Sequence, residues 1–75
     1  MSLADAEGVF QDPFAAHLED PDAHGEQRFI AVGMGSAGSV LVVAYTYRRD
    51  DVRAISARRA SRKERKSYES RIRFL

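Results

Sequence analysis

Leu3, Ala6, Val9 and Phe10 recur at the three- and four-residue spacing of an amphipathic helix, and Pro13 disfavours helical backbone at Asp12. The pattern predicts a short helix over 3–11, opened by a capping box in "SLAD" with Ser2 as N-cap and Asp5 as its partner. Such a helix is marginal alone in water and must be held by packing. The period then shortens. "FAAHL" (14–18) reads as a short strand, "EDPDAHGE" (19–26) as a polar loop and "RFIAVGM" (28–34) as a second strand. "GSAG" (35–38) is turn chemistry. "VLVVAYTY" (40–47) is apolar on both faces, which predicts a central strand covered on both sides. After the charged turn "RRDD" (48–51), "VRAISAR" (52–58) is the last strand. A second capping box, Ser61 to Glu64, opens a final helix whose Tyr68, Ile72 and Leu75 form a narrow apolar stripe. The order predicts an α+β fold: a short N-terminal helix, a three- to four-stranded antiparallel meander, and a C-terminal helix on one sheet face.

Length bounds this picture. Seventy-five residues make one domain at most, and a chain this short buries only about 60–65% of its unfolded surface. With no cysteine, no disulfide can staple it, which suits a reducing cytoplasm. The longest apolar run, Val40 to Tyr45, is too short to span a bilayer, and the N-terminus lacks the basic and apolar regions of a signal peptide. A cytoplasmic protein without a membrane partner is expected.

Charge changes the picture more. Residues 1–26 hold seven acids and no Lys or Arg, whereas residues 27–75 hold all twelve basic residues and four acids, a net of +8. Such segregation points to nucleic acid, although a solvated basic helix beside a basic hairpin would give the same composition. Strict alternation along 52–58 would put Val52, Ala54, Ser56 and Arg58 on one face and Arg53, Ile55 and Ala57 on the other. Small side chains ending in a guanidinium leave room for a ligand with phosphates. Arg28, Arg53 and Arg58 are the candidates for phosphate and transition-state contact, with Glu26 placed to orient an arginine or accept a proton. Arg48, Arg49, Arg59 and Lys63 would hold RNA, and Tyr45 and Tyr47 would either stack on unpaired bases or serve as core aromatics.

Several chemistries are disfavoured. "GMGSAG" has the form G-x-G-x-x-G but no helix follows it, so it reads as a hairpin turn and not as a dinucleotide site. His17 and His24 match no standard zinc or calcium spacing, and no metal or cofactor is expected. The basic helix has few apolar anchors and no helix–turn–helix partner, which argues against a pure DNA-binding regulator.

Several strings then combine. Phe10-Gln-Asp-Pro13, Glu26-Gln-Arg28, Gly33, Val43 to Arg48 and "R-x-I-S-A-R-x-A-x-x-x-E-x-x-x-Y" from Arg53 to Tyr68 occur in one order. That series resembles the BrnT family, whose members are similar to the RelE-type ribonuclease toxins of type II toxin–antitoxin pairs. The resemblance implies a RelE-like sheet with helices and a toxin that cleaves mRNA and arrests translation. It also implies neutralisation by a BrnA-like antitoxin, with operator DNA bound only through the toxin–antitoxin complex. Family members usually begin with a further strand–helix segment carrying Lys-His-Gly, ahead of the stretch corresponding to Ser2–Ala6. The chain therefore reads as a single shortened BrnT-like domain over 1–75, either a metal-independent endoribonuclease or a non-catalytic module that binds antitoxin or RNA.

Overall fold

The computed structural model describes residues 3–21 and 27–73. A 3-10 turn (Leu3–Asp5) leads into α1 (Ala6–Gln11), followed by β1 (Ala16–Glu19), β2 (Phe29–Met34), β3 (Val40–Arg48), β4 (Asp51–Arg59) and α2 (Arg62–Arg73). The four strands form one antiparallel sheet in the order β1-β2-β3-β4, and helices from each end of the chain flank it. The α+β expectation holds, with the strand number settled at four. Ser2, the expected N-cap, lies outside the described residues; Asp5 precedes the α-helix and makes no side-chain cap. Among the described residues no helix is long and apolar enough to cross a membrane.

The core forms where α1 lies across the sheet. Ala6 and Val9 of α1 pack with Ala31, Leu41, Val43 and Tyr45, and Phe10, Phe29, Ala54 and Ala57 close the margin. Small residues let the helix approach closely. A Cβ on Gly8 would stand 2.4 Å from the Ser36 nitrogen, because α1 rests on the β2–β3 hairpin, whose Ser36 N–H donates to the Asp5 carbonyl at 3.0 Å. That hairpin is the turn read from "GSAG", and Gly38 takes the left-handed φ of 86° that a side chain resists.

The other sheet face follows from the register. Arg28 precedes Phe29, which pairs with Tyr45, so it belongs to the Thr46 row; Ile30 pairs with Ala44 and Val32 with Val42. On β4, Arg58 pairs with Val42 and Ser56 with Ala44, but Ala54 pairs with Tyr45, leaving Ile55 unmatched in a β-bulge. This corrects the strict alternation. Above the bulge Arg58 and Ser56 face away from α1; below it Arg53, the partner of Thr46, faces away too, while Ala54 and Ala57 both pack on the core. The extra residue brings Arg53 and Arg58 onto one face.

α2 is attached at few points. Tyr68 is its buried anchor, and its hydroxyl donates to Asp12 Oδ2. The same carboxylate accepts the Met34 N–H at 2.9 Å, and its Oδ1 accepts the Phe14 N–H at 2.9 Å. Asp12 thus ties the end of α1, the end of β2 and α2 together. The second capping box is present, with the Ser61 N–H donating to Glu64 Oε1 at 2.8 Å and the Glu64 N–H to Ser61 Oγ at 3.2 Å.

Candidate functional site

Arginine converges at one end of the face away from α1. Arg28, Arg48 and Arg53 line one hollow with Thr46, Ala54 and Ile55; Arg48, Arg49 and Arg53 line an adjoining one with Asp51. The register explains it. Arg28 and Arg53 flank Thr46 on the two neighbouring strands, so their backbones stand about 10 Å apart across the sheet. Thr46 is buried and donates its hydroxyl to the Gln27 carbonyl at 2.8 Å, fixing the approach to β2 and with it Arg28. Arg48 ends β3, and Arg49 occupies the following turn with φ 58°, a left-handed conformation unfavourable for a side chain. All four arginines are exposed, and none belongs to the two ion pairs among the described residues, Arg58–Glu64 and Arg65–Glu69. Like charges in this arrangement raise the local potential and draw a polyanion.

Arg58 shares the face but not the cluster. It lies four residues up the ladder from Arg53's row, about 13 Å away. Its guanidinium donates to both oxygens of Glu64, at 2.7 and 2.8 Å. The Glu64 hydrogen bonds raise the pKa of Arg58, and the Arg58 hydrogen bonds hold Glu64 at about 2. The pair serves the cap of α2 in this conformation.

The remaining candidates are dispersed. Arg59 pairs with Leu41 and so lies on the α1 face, lining a small hollow with Asp5 and Gly35. Lys63 lines a groove beside α2. Tyr45 is a core residue, 3% exposed, with its ring packed on Phe10, Phe29 and Tyr47 and its hydroxyl 2.8 Å from His17 Nδ1. That burial rules out the stacking role considered for it. Tyr47 is 55% exposed but belongs to the α1 face, edge-on to Phe29. Glu26 and His24 lie outside the described residues. Tyr68 is pushed up to about 12 by burial and by its bond to Asp12. Burial raises the Asp12 carboxyl, but the hydrogen bonds from Tyr68, Met34 and Phe14 outweigh that and lower it. Both groups are structural.

Sequence reasoning missed Thr46 and Asp51, and the gathering of Arg48, Arg49 and Arg53 around one opening. The two-residue hairpin in "RRDD" was the available signal for the last of these. Chemically the cluster can bind phosphates and neutralise charge that develops on them. Among the described residues no group of His, Cys, Asp and Glu is arranged to hold a metal ion.

Among curated proteins none matches the chain. The family model for the ribonuclease toxin BrnT, of type II toxin–antitoxin systems, matches residues 1–64, a span holding every arginine of the cluster together with Arg58 and Glu64. A toxin of that class implies an RNA target and a protein antitoxin. With the match covering all four strands and α1, the chain belongs to the BrnT family of ribonuclease toxins.

Proposed function

We propose that this protein is an endoribonuclease that cuts mRNA in the cytoplasm and so arrests translation. A BrnA-like antitoxin neutralises it, and the complex of the two binds operator DNA. The observation carrying this reading is the convergence of Arg28, Arg48, Arg49 and Arg53 on one open end of the sheet. In the reaction, the 2′-oxygen attacks the adjacent phosphorus and the bond to the 5′-oxygen breaks. The products are a 2′,3′-cyclic phosphate and a 5′-hydroxyl, which takes up a proton. Arg28 and Arg53, reaching in from two strands, grip the phosphate and stabilise the charge that builds on its oxygens. Glu26, the acceptor favoured from sequence, lies outside the described residues; Asp51 is the described carboxylate that lines the arginine hollow and can receive the 2′ proton. Arg48 and Arg49 hold the neighbouring phosphates.

The test is cleavage of single-stranded RNA by the purified chain, with the new ends analysed for cyclic phosphate. Arg53→Ala is expected to lower the rate about 100-fold at unchanged melting temperature, the loss typical of removing one donor to a developing anion. RNA affinity should fall with salt at a log–log slope near −3 for about four phosphate contacts. A folded, pure chain that cuts no RNA at any salt would end the catalytic reading. The lock of Arg58 on Glu64 favours one second reading, a module that binds RNA or antitoxin without cutting. Salt-dependent binding with intact RNA would establish it.

A further inference from the structure

The face that carries the arginines also carries an apolar groove. Its floor runs across three strands, from Ala16 and Leu18 through Ile30 and Val32 to Val42, and one side of α2 forms its wall. Ile30, Val32 and Val42 are only half-buried, and Leu18 is 61% exposed. The groove is about 440 Å³. Lys63 and Arg71 rise from the wall, while the one acid lining the groove, Glu64, is already engaged by Arg58. At the open end the same face continues into Arg28, Arg48 and Arg53.

We propose that this groove receives an amphipathic, acidic helix of the antitoxin, and that the helix silences the toxin by running on over the arginine cluster. This rests on the toxin reading above, which supplies a protein partner. The dimensions suit a helix. Three strands give a floor about 10 Å wide, matching the diameter of one helix with its side chains. From the Val42 row to Arg48 is about 20 Å along β3, the length of about 13 helical residues. Charge selects the partner's chemistry. A second copy would set Lys63 and Arg71 against a like basic rim, whereas an acidic helix meets cations at the wall and again at the open end. One apolar stripe would bury Leu18, Ile30 and Val42, and acidic flanks would pair with the rim.

The experiment uses the full chain and a BrnA-like antitoxin that neutralises it, with affinity measured by calorimetry. Leu18→Arg, at an exposed position, should weaken the complex at least tenfold while leaving melting temperature and RNA cleavage by the free toxin unchanged. Ser67→Glu, on the groove wall, should also weaken it, whereas Ser67→Lys should preserve or tighten it. Unchanged affinity for Leu18→Arg in a folded protein overturns the proposal. Equal weakening by Ser67→Glu and Ser67→Lys overturns the acidic partner. A free chain that sediments as a dimer and becomes monomeric on Leu18→Arg assigns the groove to self-association and overturns it as well. If the chain never cuts RNA yet Leu18→Arg releases the antitoxin, the groove stands and the catalytic reading falls; active cleavage with antitoxin binding indifferent to the groove gives the reverse.

Discussion

Under α1, Val9, Leu41, Val43 and Tyr45 leave at most 3% of their surface to water, while on the opposite face Arg28, Arg48, Arg53 and Arg58 are all exposed above half-buried Ile30, Val32 and Val42. One helix seals the first face with an apolar interlock. The second helix touches the other face mainly through Tyr68 and leaves the remainder open. The difference teaches that in a sheet this small, stability and recognition are divided by side. Apolar burial is concentrated under α1, and the cations stay on the open face, where they remain hydrated and incur no desolvation.

The largest test of that division is Leu41→Ala. It should cost about 3 kcal/mol in urea unfolding, enough to unfold much of a marginal chain, whereas Arg53→Ala should change stability by less than about 0.5 kcal/mol. Comparable losses would mean that the two faces share the load. Next, Tyr68→Phe removes the donor to Asp12 and should cost about 1 kcal/mol by the same measurement. No change would mean that α2 is held by something other than the Asp12 junction. Arg49→Gly should act with opposite sign on the two properties. Relief of the left-handed backbone should add about 1 kcal/mol of stability, while RNA affinity and its salt slope decrease. A loss of stability would show that the Arg49 side chain supports the turn.

The smallest effect is in pH. Glu64 is depressed from 4.5 to about 2 by its bonds to Arg58 and Ser61, and Asp12 lies below its ordinary value. A carboxyl with a lower pKa folded than unfolded contributes its full stability above the unfolded value and loses it as pH falls through the folded one. Stability should therefore decline from about pH 4.5 towards 2, and Glu64→Gln should flatten part of that decline in thermal melts. A profile identical to that of the parent would show that the Arg58–Glu64 pair adds nothing in water.

What was legible in the sequence was local. The box from Ser61 to Glu64, the hairpin at Gly38 and the strand at 40–47, which runs one residue further to Arg48, each follow from residues within a few positions of one another, and each is present. Asp12 was not legible beyond its role before Pro13, because its partners Met34 and Tyr68 are distant in the chain. Tyr45 was ambiguous because burial on a sheet face depends on which helix covers it. The side on which Arg53 lies could not be read at all, since a bulge leaves no mark in a run of small residues. The cluster was therefore foreseen as a set of arginines and not as a place.

Ile55 is the unmatched residue of β4, and it is half open to water. Its identity matters less than its being counted. Five positions separate Arg53 from Arg58, and that odd interval yields a common orientation only because one of them is skipped by the ladder. Loss of Ile55 itself would leave an interval of four, which plain alternation already sets on one face, whereas one added residue that the ladder pairs would turn the lower half of the strand over, sending Arg53 inward beneath α1 and Val52 outward. The strand should therefore tolerate many side chains at 55, and even the loss of that residue, but no added paired residue between the two arginines.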